Sequence, residues 1–308
     1  MTMSLATPPS TDGILVINKP PGFTSHDVVN RVRRLTHQRR VGHAGTLDPL
    51  ATGVLVVCLG QATRMAEYAT GGDKTYCAEI VLGIATDTYD ADGRVTARAA
   101  VHASLDDIQS ALAGFLGPIL QAPPAYSAIK RGGEPLYKAA RAGLDVNPEA
   151  RPVRIDALRV VAYQAPVLVL QVDCSKGTYI RSLAHDLGQR LGCGAHLSAL
   201  VRLRSGRFRL EDAITLDDLA LAVQFGYLDR FLYAPDETVL DQPAVILGPE
   251  RATSVCQGKG LAMAAVPSGD TRPVLCRAYD LAGEFLALGQ LDRRAGWWQP
   301  HKVFKPCN

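Results

Sequence analysis

Two segments carry side chains whose types and spacing could do chemistry. The first is Gly42-His43-Ala44-Gly45-Thr46-Leu47-Asp48-Pro49-Leu50-Ala51-Thr52-Gly53. An isolated Asp-Pro is an ordinary turn, because both residues favour turns. Here the carboxylate sits among glycines that free the backbone and close to a histidine. The apolar run Val54 to Leu59 follows and reads as a buried strand able to hold it rigidly.

The second segment is Lys176-Gly177-Thr178-Tyr179-Ile180-Arg181, opening a helix predicted over 178–191. A cation in the first helical turn opposes the macrodipole, so Arg181 calls for a carboxylate partner. Any nearby acid in a structural ion pair would satisfy it. If the partner is Asp48, the arginine keeps that carboxylate ionised and aimed. Tyr76, Tyr179 and His43, each taken alone, are more often packing or hydrogen-bonded residues than functional ones.

Missing motifs narrow the chemistry further. The chain has no Walker A sequence, no G-x-G-x-x-G opening a helix, no H-E-x-x-H and no G-x-S-x-G. The stretch 87–93 (DTYDADG) resembles a calcium loop, but Thr88 stands at its first ligand position and Ala99 at its twelfth, so it reads as a turn. No cofactor and no metal are expected.

Several elements must position these residues. Gly13 to Lys19 reads as a strand closed by Pro20-Pro21-Gly22, with Thr24 or Ser25 capping a helix whose Val28, Val32 and Leu35 share one face. Helices are predicted over 61–69 and 104–116, and strands over 75–82, 153–163 and 167–174. The acidic, Leu-rich stretch 211–222 reads as a bridging helix. Short apolar runs separated by Gly, Pro and Asp after residue 240 predict a small β-rich domain. The order fits an α+β body with a mixed, mainly antiparallel sheet. Expected boundaries are a disordered 1–12, a catalytic domain over 13–240 and a C-terminal domain over 241–308.

The chain has 308 residues with 47% hydrophobic and 20% charged side chains, which fits a globular protein. A net charge of +3 means that affinity for a polyanion must come from where the cations sit. They cluster at Arg31, Arg33, Arg34, Arg39 and Arg40, at Lys130, Arg131, Lys138 and Arg141, and at Arg202, Arg204, Arg207 and Arg209. Three clusters on a near-neutral chain favour a nucleic-acid groove over a merely solvated face. Seven cysteines without a C-x-x-C pair read as reduced thiols. With neither a signal peptide nor an 18-residue apolar run, a cytoplasmic protein is expected. Monomer is the default.

The stretches at 13–29, 41–64, 74–93, 123–143 and 174–206 together resemble the TruB family, the bacterial tRNA pseudouridine-55 synthases. The motifs G-H-x-G-x-L-D-P-x-A-x-G and K-G-T-Y-I-R-S-L carry most of that resemblance, which spans about 13–235. Residues 244–308 are more loosely similar to the PUA-like RNA-binding domain of such enzymes.

The resemblance implies isomerisation of a flipped-out uridine in the tRNA T arm, with no cofactor consumed and no protein partner required. By residue it implies Asp48 as nucleophile, Tyr76 stacked on the base and helping to remove the C5 proton, and Arg181 paired with Asp48. His43, Tyr179 and Leu200 would line the pocket or support the flipped-out loop. A basic insertion at about 124–151 would grip RNA. The expected RNA-contacting cations are Lys19, Arg40, Lys130, Arg131, Lys138, Arg202 and Arg204. A non-catalytic RNA-binding or tRNA-folding module and a guide-RNA-dependent synthase subunit stand as the alternatives.

Overall fold

The computed structural model describes residues 11–126, 130–131, 134–135, 148–263 and 272–305, with the backbone alone at 130–131 and 134–135. Its central feature is a nine-stranded sheet built on strands β1 (Gly13–Lys19), β2 (Val41–Ala44), β3 (Thr52–Leu59), β4 (Lys74–Leu82), β5 (Gly117–Gln121), β6 (Arg151–Gln164), β7 (Val167–Cys174) and β8 (Ala195–Ser205). The order is β1-β3-β8-β4-β7-β6-β5, with β2 on β3 and a short Phe208–Arg209 strand on β8. Only β3 against β8 runs parallel, so the sheet is mixed and mainly antiparallel, as expected.

The sheet is covered on both faces at its β1 and β3 strands, and the period-two pattern of these strands divides the core. Leu15 and Ile17 of β1 and Leu55, Val57 and Leu59 of β3 join the larger cluster, together with helices α1 (Ser25–Thr36), α3 (Leu105–Ala113), α4 (Ile180–Arg190) and α5 (Leu216–Gln224). Ile14, Val16, Val54, Val56 and Cys58 point the other way into a smaller cluster beside α2 (Ala66–Gly71). This two-sided burial explains why β3 reads as one continuous apolar run.

Local signals set the helix starts. Thr24 caps α1 in a capping box with Asp27, and Ser104 does the same for α3 with Asp107. The helical stretch expected over 61–69 forms in two parts, a 3₁₀ segment, Gly60–Met65, followed by α2, while one other expectation needs correcting. The Thr63 hydroxyl bonds back to the Gly60 carbonyl, which tightens that turn. The stretch expected to bridge is instead a core helix: α5 starts at a Thr215–Asp218 capping box and buries Leu216, Leu219 and Ala222.

The C-terminal region forms a separate five-stranded sheet containing β9 (Ala244–Ile246), β10 (Val274–Tyr279), β11 (Phe285–Asp292) and β12 (Trp297–Val303), around buried Trp298. It is docked on the body by several contacts. Met65, Val239 and Leu288 share one small core. The Arg64 guanidinium donates to the Val303 carbonyl and stacks 5.0 Å from the Phe304 ring centroid. Lys302 reaches the Arg64 carbonyl and pairs with Glu67. Arg277 donates to the Leu240 and Gln242 carbonyls, while the Tyr279 hydroxyl donates to Asp236. Among the described residues no helix is long and apolar enough to cross a membrane.

Candidate active site

The loop between β2 and β3 carries Asp48, and its main chain is held almost residue by residue. The Arg202 guanidinium donates to the carbonyls of Gly45 at 3.0 Å, Thr46 at 3.4 Å and Val54 at 2.7 Å. The Ser25 hydroxyl accepts from the Leu47 amide at 2.8 Å and donates to the Leu47 carbonyl at 3.2 Å. On the far side, the Pro49 carbonyl accepts from the Lys19 ammonium at 3.2 Å and from the Gly22 amide at 2.9 Å. At the loop's end β3 lies tight against β8. Gly53 has φ +94°, and a Cβ there would sit 2.3 Å from the Arg202 carbonyl, so only glycine fits.

This anchoring aims Asp48 at Arg181. Arg181 Nη2 donates to Asp48 Oδ1 at 3.1 Å, and Nε lies 2.9 Å from Oδ2 without the alignment of a hydrogen bond. The arginine is 6% exposed and Asp48 33%, so the carboxylate faces open space while its partner is enclosed. Nη1 reaches the second acid, Asp90, at 3.2 Å and the Thr88 carbonyl at 3.3 Å, while Nη2 also donates to the Tyr126 carbonyl at 3.1 Å. One guanidinium thus joins two carboxylates of different exposure. Burial pushes Asp90 above the usual carboxylate range, opposed by the Thr88 hydroxyl and the Arg181 charge. Arg181 sits in the first turn of α4, where the two acids offset its unfavourable place at the positive end of the helix dipole.

Above this pair opens a cavity of about 260 Å³, lined by Asp48, Tyr76, Tyr179, Arg181, Leu200 and Arg202 among others. Tyr76, from β4, is 8% exposed. Burial raises its phenol, an effect opposed by the nearby Arg202 charge. Leu200, from β8, is 6% exposed and supplies apolar wall. The buried amide of Gln121 fixes Tyr179 by bonding both its N–H and its carbonyl. Lys74 also lines the cavity, with its ammonium spent on the Thr70 and Gly72 carbonyls, and burial lowers it to about 8.

Of the residues singled out from sequence, Asp48, Tyr76, Arg181, Tyr179 and Leu200 come together here. His43 lies on β2 outside the lining; burial lowers its pKa, with the charges of Arg202 and His26 adding to the effect. Two expected RNA contacts are corrected by their burial. Lys19 is fully buried, donates to the Pro20, Phe23 and Pro49 carbonyls, and is lowered by burial to about 8. Arg202 is 1% exposed and serves the loop's carbonyls. Neither presents its charge to a phosphate.

Arg40 is exposed, whereas Arg204 is half-buried against the Thr75 hydroxyl and the Gly206 carbonyl. Lys138 and the side chains of Lys130 and Arg131 lie outside the described residues. Sequence reasoning missed Asp90, Ser25 and Lys74. A lysine or arginine within a strand of apolar residues is the one signal that could have flagged such buried cations in advance.

Comparison with known proteins shows the family. The chain is 44% identical over 303 residues to "tRNA pseudouridine synthase B" of Heliobacterium modesticaldum, covering 96% of this chain and 97% of that protein. It is 46% identical over 298 residues to the protein of the same name from Xanthomonas oryzae pv. oryzae, covering 96% and 95%.

The chain belongs to the TruB family.

The family models agree: TruB family pseudouridylate synthase (N-terminal domain) matches residues 33–180, and the tRNA pseudouridylate synthase B C-terminal domain matches 181–240. Among solved structures, a chain in a Cbf5-Nop10-Gar1 complex superposes with TM-score 0.75 at 30% identity, covering 96% of this chain and 85% of that one. A chain in an H/ACA RNP bound to a substrate RNA containing 2'-deoxyuridine gives TM-score 0.72 at 27% identity, with the same coverage. As a member of the TruB family the protein is an enzyme of the isomerase class.

Proposed function

We propose that the protein isomerises one uridine in the T arm of tRNA, the position-55 uridine of its relatives' family, acting alone and without a cofactor. The observation that carries this reading is the Asp48–Arg181 contact at the floor of a cavity walled by Tyr76 and Leu200. The reaction needs a carboxylate held ionised where a flipped base can reach it, and a dry pocket that keeps the detached uracil in place.

In this reading the Asp48 carboxylate attacks either uracil C6 or ribose C1′ as the bond between N1 and C1′ breaks. The uracil turns within the pocket, C5 bonds to C1′, the bond to Asp48 breaks and frees the carboxylate, C5 loses its proton and N1 gains one. Atoms balance because the product is an isomer. Arg181 aims Asp48 through the first step and receives no covalent bond. Tyr76 stacks on the base and passes the C5 proton outward; its raised pKa suits a group that hands a proton on over one that holds a negative charge.

The same reading divides the chain into a catalytic domain over 13–240 and a PUA-like RNA-binding domain over 241–308. An RNA-gripping insertion lies at about 124–151. Lys130, Arg131 and Lys138 of that insertion, with Arg40 and Arg204 outside it, are the phosphate contacts.

Release of tritium from a T-arm hairpin labelled at uridine C5, with purified protein and no added RNA or partner, tests the reading. Release by the wild type and none by Asp48→Asn, with RNA affinity retained, is the expected result. Tight binding without release by the wild type would favour an RNA-folding module. Release only after guide RNA and partner proteins are added would favour a guide-dependent subunit.

A further inference from the structure

Tyr89 has φ +64°, a left-handed backbone that a bulky residue adopts at a cost. The only other described non-glycine residue with positive φ is His37, which caps α1. Tyr89 lies between the two residues of its turn that touch Arg181: Thr88 through its carbonyl and Asp90 through its carboxylate. Contacts to β8 and α4 hold the strained residue in place. Its carbonyl accepts from the Leu197 amide of β8 at 3.0 Å, and its ring stacks on His185 with centroids 3.8 Å apart and planes 16° from parallel.

His185 is four residues beyond Arg181 on α4, so imidazole and guanidinium leave the same helix face toward one turn. Nδ1 of His185 is buried with no hydrogen-bond partner among the described residues, so the ring contact orients this side chain. The turn is therefore joined to α4 twice: by ions at Arg181, and by stacked rings one helical turn further along.

We infer that the Tyr89–His185 stack is a positioning clamp for the reaction. It seats the turn carrying Asp90 on Arg181 and so sets where the guanidinium presents itself to Asp48. Neither Tyr89 nor His185 lines the cavity, and both act through Arg181. The inference rests on the catalytic reading of Asp48 given above.

Tyr89→Gly separates clamp from fold, because glycine accepts the left-handed backbone while losing the ring. With the tritium-release assay, kcat of Tyr89→Gly and of His185→Ala should fall about ten-fold, with KM and tRNA Kd unchanged. Tyr89→Phe and His185→Phe keep a stack and should retain wild-type kcat. The double variant Tyr89→Gly/His185→Ala should be no slower than either single one. Full kcat in Tyr89→Gly, or a matching loss in Tyr89→Phe, would overturn the clamp.

A crystal structure of Tyr89→Gly tests the same idea without turnover. An Arg181–Asp90 separation lengthened from 3.2 Å supports the clamp. An unchanged separation refutes it, whichever way the assay of the wild type falls.

Discussion

Ser25 and Leu47 lie 22 residues apart, yet one buried hydroxyl satisfies both main-chain groups of the residue that precedes Asp48. Ser25 opens α1 directly after the capping residue Thr24, so the start of a helix fixes the loop that carries the carboxylate. Ser25→Ala leaves a buried N–H and a buried carbonyl without partners, at a cost of about 1–3 kcal/mol each. A lowered Tm is expected in thermal melts, together with a reduced kcat and unchanged affinity for a T-arm hairpin. Unaltered kcat would mean that Asp48 does not depend on this anchor.

Arg181→Lys keeps the charge but removes the fork that reaches Asp48, Asp90 and two carbonyls at once. Loss of kcat by at least about 100-fold is expected in single-turnover kinetics, since one of the two acids loses its donor. Asp90→Asn should be milder, because an amide still accepts from the guanidinium. Equal losses in both variants would argue against a hierarchy in which Asp48 is the reacting acid.

Arg202 and Arg40 should part company in binding experiments. Arg202 is buried on the loop carbonyls, so Arg202→Met should lower kcat and Tm while leaving RNA Kd and its salt dependence nearly as they were. Arg40 is exposed, so Arg40→Ala should weaken binding and reduce the slope of log Kd against log salt by about one. Titrations at several salt concentrations read both effects, and a lowered slope in Arg202→Met would restore that residue to the RNA surface.

Stability should rise with pH just above neutrality. Burial lowers Lys19 and Lys74 from 10.5 to about 8, so the folded state releases these protons before the unfolded state does, and stability increases as pH climbs from 8 toward 10.5. Burial raises Cys58 and Cys174 from 9.0 to about 12 and about 11, so their contribution is complete below pH 9 and is lost above it. Urea midpoints should therefore increase from pH 8 to 9 and level off beyond. In Lys19→Met the increase should be smaller. A midpoint that falls between pH 8 and 9 would contradict the burial of both ammonium groups.

How much of this was legible in the sequence varies by residue. The Asp48–Arg181 pair could be read because a glycine-framed carboxylate needs a rigid strand behind it and a cation at a helix start needs an acid. Asp90 could not: its stretch scans as a turn, and its contact with Arg181 closes over 91 residues of chain. Lys19 and Arg202 were misread for a related reason. Cations are mostly exposed, and it takes the folded turn after β1 together with the 45–54 loop to supply the carbonyls that make their burial tolerable. Secondary structure followed the same division. Capping boxes and alternating strands declared themselves, whereas the packing of α5 into the core depends on a partner helix that its own residues do not mention.

The C-terminal sheet is bolted to the body through Arg64, Lys302 and a shared apolar plug of Met65, Val239 and Leu288. Its offset from Asp48 is therefore a constant of the fold, as in a caliper whose jaws have been locked. A stiff ligand of matching span could touch both surfaces at once, whereas a pliant one would give up chain entropy to do so.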